Sequence, residues 1–282
     1  MAGISDIRPS PIAGTWYTAD PKRLAHQVDE YLAAAKLPDL HGEVIGIIAP
    51  HAGHRYSGPT AGYAFRAIQR NSYDLVVVIS PMHGFHPASL LTTAHTAYST
   101  PLGNIPVDAE AIKELTELML QQSGADLFPV ANDGEHSLEI ELPFLQRAVE
   151  GDFHLLPVMV RTQSARTIEI LGKSLAKVMA SKKSLLVAST DLSHFYPQAT
   201  AQRLDTGMLE AFSSLDPMAI LDAEETGKGY ACGAPAVAAV MWAARELGAN
   251  KVEILHHSTS GDVTGDYNQV VGYGAAVLLK TG

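Results

Sequence analysis

The chain has 282 residues, 46% hydrophobic and 18% charged, a composition that supplies a sizeable core and excludes a disordered chain. Lys and Arg number 20 against 30 Asp and Glu, a formal charge of -10 that repels nucleic-acid backbones and anionic lipid alike, so neither nucleic acid nor membrane is an expected partner. No apolar run approaches the roughly 20 residues of a bilayer span, and MAGISDIRPSP at the start shows no basic region followed by an apolar stretch, which leads to the expectation of a cytoplasmic protein of one large domain, residues 1–282.

Residues 44–49 read as a buried strand, followed by the turn PHAG, and Ser57-Gly58-Pro59 looks like a helix start leading into residues 60–70. Residues 75–80, LVVVIS, are apolar throughout, as a strand covered on both faces should be, and the turn PMHG closes them. Asp108 is placed to cap a helix that runs to about Gln122 and stops at Gly124, with Ile112, Leu115, Leu118 and Met119 on one face. Strand 153–160, helix 167–180, strand 184–190 and helix 201–215 follow. Pro235 opens an alanine-rich helix ending near Gly248, and residues 252–257 and 270–279 read as closing strands. Segments 17–21, 84–106 and 258–268 read as irregular. Strands alternating with helices of ten or more residues predict an α/β fold, a single domain with a mainly parallel or mixed central sheet flanked by helices.

In such a sheet, ligands bind beyond the carboxyl ends of the strands, where loops and helix N-termini converge. His51 falls two residues past strand 44–49, His83 three past strand 75–80, and His194 four past strand 184–190. Parallel strands would bring the three imidazoles to one rim, as a shared site or as rings that each satisfy a turn carbonyl. Cys232, the only cysteine, directly precedes the helix start Gly233-Ala234-Pro235. There a thiol is either a packed small residue or one whose pKa is lowered by the helix dipole toward the metal-binding thiolate. Asp133-Gly134-Glu135-His136-Ser137 crowds two carboxylates and an imidazole before a helix that Ser137 could cap, with Glu139 and Glu141 suited to its dipole. Asp191 stands three residues before His194 and could orient it. Trp16-Tyr17 is either core filling or an aromatic wall over the rim.

The segments GTWYTA (14–19), IIAPHAG with Tyr56-Ser57-Gly58 (47–58), SPMHG (80–84), DGEHSLEIELPFLQ (133–146), STDLSH (189–194) and ACGAP (231–235) together resemble the MEMO family, whose prokaryotic branch is called AmmeMemoRadiSam system protein B. That family is similar to the class III extradiol dioxygenases of the LigB type, which hold iron(II) with two His and one Glu. The resemblance implies a LigB-like fold, with His51 and His83 as histidine ligands and Cys232 in the third position in place of Glu. It also implies that Asp191 and His194 line the pocket where the dioxygenases keep an acid/base histidine, and that His136 and Trp16 line it too. Met82 departs from the small polar residue that relatives often carry before this histidine, which changes the pocket wall.

The function so implied is a non-haem metal-dependent redox enzyme. His51, His83 and Cys232 hold the ion, iron(II) first, with copper or zinc as alternatives. His194 transfers protons, Asp191 orients it, His136 contacts substrate or oxygen, and Trp16 and Tyr56 bind a small, aromatic or phenolic substrate. Two other readings compete: an iron- or copper-binding protein without turnover that presents its pocket to a peptide, and a zinc or thiol hydrolase. The name of the prokaryotic branch further implies a functional link to a radical-SAM protein and an AMMECR1-type protein.

Overall fold

Continuous apolar runs can be buried on both faces only in the middle of a sheet, and that is where they lie. The computed structural model describes residues 6–282; residues 1–5, part of the N-terminal stretch read as having no leader, lie outside the described residues. Its strands are β1 (Ile7–Arg8), β2 (Glu43–Ala49), β3 (Leu75–Pro81), β4 (Leu90–Thr93), β5 (Ala97–Thr100), β6 (Gly103–Pro106), β7 (Leu127–Val130), β8 (His154–Val160), β9 (Ser184–Ser189), β10 (His194–Tyr196), β11 (Lys251–Thr259) and β12 (Val270–Lys280). The main sheet runs β10-β12-β2-β9-β3-β8-β4-β7, with β11 paired to β12. β2, β9, β3 and β8 are mutually parallel, while β12 joins β2 and β4 joins β8 antiparallel. The sheet is therefore mixed around a parallel centre.

Along β3 the side chains alternate between two cores. Val76 and Val78 face the side covered by helices Pro21–Ala34, His54–Arg66 and Leu142–Ala148. Leu75, Val77 and Ile79 face helices Ala109–Ser123, Ala165–Met179 and Ala234–Glu246. Helix Ala165–Met179 shows how these cover the sheet: Ile168, Leu171, Leu175 and Val178 recur at helical spacing on the buried face, and Ser164 caps its start by accepting from the Thr167 N–H. Among the described residues no helix is long and apolar enough to cross a membrane.

Three sequence expectations are corrected. Segment 84–106 is not irregular: it contains β4, β5 and β6, and β5 joins β1 and β6 in a separate three-stranded sheet. Its strands are four residues long, too short to show a period. The first long helix after β2 begins at His54, not near Ser57, with Gly53 at its cap and Pro59 inside it; Pro59 removes one backbone donor and the helix continues past it. Glu139 and Glu141 do not serve a helix dipole. Both are fully buried in a short 3-10 turn, Glu139–Glu141, and their carboxylates bond other side chains.

His54 links this frame to pH. Its ring packs against Tyr17 and Phe144, with centroids 5.1 and 4.9 Å away. Nε2–H donates to the Ile140 carbonyl at 3.1 Å, and Nδ1 has no partner among the described residues. Burial, partly offset by the Ile140 carbonyl, lowers its pKa to about 4 from 6.5. Below pH 6.5 the unfolded chain takes up a proton that the folded ring refuses, so this contribution to stability is lost as pH falls from 6.5 toward 4. At about 1.4 kcal/mol per pKa unit the loss is on the order of 3 kcal/mol. Urea midpoints of the metal-free protein are expected to fall through this window, and to fall less steeply in His54→Phe; equal slopes would remove His54 from the account.

Candidate metal centre

The parallel registry carries the ends of β2, β3 and β9 to one rim, and each is followed by a turn that bears site residues. His51 follows β2, His83 follows β3, and the loop 133–137 brings His136 beside them. One ring nitrogen from each of His51, His83 and His136 lies within 4.8 Å of the others. The His83 and His136 rings stack with centroids 4.6 Å apart, and His51 meets them edge-on at 5.3 and 5.4 Å.

Two of the rings are held by a hydrogen bond at Nδ1. The Nδ1 of His51 lies 2.9 Å from Ser189 Oγ, which is 2.6 Å from the Ser137 carbonyl and 2.7 Å from Glu141 Oε1. With its own proton committed to one of these acceptors, Ser189 receives the His51 Nδ1–H, which leaves Nε2 as a lone pair. Glu135 Oε1 accepts from His83 Nδ1 at 2.9 Å and lies 3.2 Å from His136 Nδ1, within ionic reach but without a hydrogen bond. Glu135 also accepts from the backbone N–H groups of His83, His136 and Ser137. Burial opposes its charge, but the His83 hydrogen bond and charge win and hold the carboxyl well below the usual range. Three converging imidazoles, two of them with Nδ1 anchored, suit a transition-metal ion, whose histidine ligands ordinarily donate their other N–H to a carboxylate or carbonyl. Burial and the charges of its two neighbours keep His51 well below the ordinary value, and burial brings His136 to about 4. Both are proton-free at neutral pH.

Cys232 stands next to this cluster, its Sγ 3.1 Å from His51 Nε2. The chain reaches it because Gly233 has no side chain: a Cβ there would lie 2.5 Å from the Ser189 carbonyl and 2.8 Å from Thr190 Cβ. Of the two readings of this thiol, the packed one fits and the dipole-activated one does not. Burial, then the Asp191 charge, push Cys232 up, against the lesser pull of the Asp191 N–H.

Asp191 does not orient His194. Its Oδ1 accepts from the backbone N–H groups of His51 and Ala52 at 2.7 and 3.3 Å, so it shapes the turn that presents His51. Burial lifts Asp191 to about 7. His194 instead donates Nδ1–H to the Leu192 carbonyl at 2.8 Å, since the turn after β9 leads the two side chains to different partners. Its ring contacts Phe195 and Tyr230 at 5.7 Å, and burial lowers its pKa.

Trp16 and Tyr17 divide between the two roles weighed for them. Tyr17 is buried, donating to Glu139 Oε1 at 2.8 Å; Trp16 is partly exposed and stacks on His136 at 4.0 Å. Tyr56, in the first turns of helix His54–Arg66, shares the lining of an adjacent cavity with Trp16. Beneath the loop sits a residue the sequence reading missed. Buried Arg8 donates to Asp133 Oδ1 at 2.7 Å, Glu139 Oε2 at 2.6 Å and the Glu135 carbonyl at 2.8 Å. Ser189 and Glu135 were likewise unassigned; for Glu135 its place beside His136 was a signal, whereas Arg8 had none.

Removing the Ser189 hydroxyl tests this anchoring. In Ser189→Ala the His51 ring loses its Nδ1 partner, and affinity for a divalent transition metal is expected to fall by about 10–100-fold, as for other outer partners of ligands. A competition titration with a chromophoric chelator measures it; unchanged affinity would mean that packing alone holds the ring.

The model of one family, described as Memo-like protein, matches residues 8–277. A MEMO1 family protein of Nitrosopumilus maritimus (strain SCM1) is 32% identical over 278 residues, covering 97% of this chain and 100% of that protein. A MEMO1 family protein of Thermotoga neapolitana is 35% identical over 285 residues, covering 96% and 99%. The crystal structure of an uncharacterized protein from Escherichia coli K12 superposes with a TM-score of 0.57 at 14% identity, over 83% of this chain and 100% of that one, a likeness of fold alone.

Proposed function

Because the chain belongs to the Memo-like family, we propose that it is a metal-dependent redox enzyme with the architecture of the class III extradiol dioxygenases. One observation carries this reading: three imidazoles converge, with the Nδ1 atoms of His51 and His83 already engaged by Ser189 and Glu135. His51 and His83 hold the ion. The third position falls to His136, which lies in the same cluster, or to Cys232, the third ligand implied by the resemblance, which is near enough to His51 to serve a softer ion. Iron(II) is the first candidate, with copper and zinc as alternatives. When bound, such an ion supplies redox chemistry and open positions for substrate and oxygen.

The rest falls to the chain's own residues. His194, with Nδ1–H given to Leu192, keeps Nε2 as a lone pair and accepts a proton from substrate at that atom. Asp191 fixes the backbone that presents His51. Trp16 and Tyr56 form an aromatic wall for the substrate.

A second reading, metal binding without turnover, draws on Cys232: four donors closing round one ion would leave no open position. Metal content and oxygen uptake separate the two. The proposal expects one ion per chain after loading with iron(II), and oxygen consumption with a phenolic substrate panel. Stoichiometric metal without oxygen uptake favours the second reading, and a chain that retains no iron, copper or zinc after dialysis sinks both.

A further inference from the structure

Beside the three imidazoles, and joined to them through Trp16, lies a cavity of about 540 Å³, within the range of small-molecule sites. Its walls include the rings of Trp16, Tyr56 and Tyr273, with Asp266, Gln269 and Ser260 among the polar groups. None of the described residues lining it is a lysine or arginine. Ala52 and Gly53, from the turn that carries His51, line the same cavity as Tyr273, which ties it to the metal site.

We propose that this cavity binds an organic ammonium group, as the positively charged end of the substrate that reaches the metal centre. Aromatic faces attract a cation through their quadrupoles, and compact ammonium ions are the ligands that several rings and a carboxylate recognise together. Tyr56 already takes a cation on its ring, the Arg55 guanidinium, at 5.7 Å; Arg55 lines a neighbouring hollow and not this one. Asp266 spends Oδ1 on the Asn268 backbone and side-chain N–H groups, which leaves Oδ2 to meet a charge. A chain of formal charge -10 adds a field of the same sense. Trp16 links the two halves of the site, because the ring that lines the cavity also stacks on His136.

The location of the reacting end rests on the metal reading, but ammonium binding does not, so the test uses the full chain stripped of metal. Choline is the probe, and 3,3-dimethylbutan-1-ol, which matches its shape without the charge, is the control; calorimetry measures both. Choline is expected to bind at least about tenfold more tightly than the neutral alcohol. Trp16→Ala and Asp266→Asn are each expected to weaken choline by about tenfold, within the range of a desolvated cation–π contact. Trp16→Phe should retain most of the affinity, which guards against a folding defect in the alanine variant. Equal binding of the two probes, no choline binding up to 50-fold above about 1 mM, or choline affinity untouched by both substitutions overturns the proposal. A protein that binds choline in this manner but retains no metal refutes the metal reading alone.

Discussion

In His51→Ala, tight binding of a divalent transition metal is lost, with affinity falling by more than about a hundredfold, beyond the 10–100-fold that follows from losing an outer partner. His51 is the ring that all other candidate donors share: it meets His83 and His136 edge-on and lies 3.1 Å from Cys232 Sγ. The ring is buried, 1% exposed, so water cannot replace it without entering the core of the rim. An ion present at a thousand times its dissociation constant stabilises the native chain by about 4 kcal/mol, and that increment disappears with it. Elemental analysis after dialysis and a thermal melt with and without metal read the two effects. His256→Ala, which removes an imidazole stacked on Tyr63 outside the cluster, serves as the control that keeps its metal. Full occupancy in His51→Ala, His83→Ala and His136→Ala alike would mean that the ion binds elsewhere. Comparing His136→Ala with Cys232→Ser identifies the third donor, since only the true ligand costs more than an outer partner does.

The second large effect lies below the site. Arg8→Met leaves Asp133 and Glu139 facing an apolar side chain, although Arg8 and Glu139 are 1% and 0% exposed and the Arg8–Asp133 pair is 1% and 4% exposed. Breaking a buried pair from one side costs about 3–5 kcal/mol, because the remaining charge has neither water nor partner. For a chain of this size the melting temperature should drop on the order of 10 °C. Arg8→Lys rescues little, since an ammonium cannot span Asp133, Glu139 and the Glu135 carbonyl as the guanidinium fork does. The double variant Arg8→Met, Glu139→Gln recovers part of the loss by removing one stranded charge. A melting temperature within a degree of the parent protein in Arg8→Met would show that the network contributes nothing net.

Runs with a strong local signature were readable in the sequence. LVVVIS at 75–80 lies within β3, Asp108 caps Ala109–Ser123 and Gly124 ends it in the left-handed conformation, because each rests on the residues themselves. PHAG and PMHG were legible as rim turns for the same reason, once the strands were taken as parallel. Helices Pro21–Ala34 and Pro217–Glu225 went unread although each begins with an Asp cap and a Pro in the first turn, a signal as plain as that of Pro235. What escaped is set by distant partners. A dipole argument treated Glu139 as local, whereas its carboxylate answers Arg8, Ser10 and Tyr17. Proximity in sequence joined Asp191 to His194, yet its bonds run to the turn after β2, some 140 residues away. Cys232 was placed correctly at a helix start, but the burial that governs its thiol depends on how closely Gly233 meets β9.

Arg8 and Glu139 are 131 residues apart, and that separation orders events in time. Each doubling of a closed loop costs only about 0.6 kcal/mol, so the length weighs little on the final stability; it weighs on the rate, since contacts so remote form slowly. The sheet closes over separations as long or longer, since Gly46 pairs with Leu186 and Ile48 with Ala276. Arg8 ties down the loop bearing Glu135 and His136 through Asp133 and the Glu135 carbonyl. Assembly of the donors therefore waits on the far half of the chain: Ser189, which anchors His51, ends β9, so a newly made chain cannot complete the site until β9 has been made.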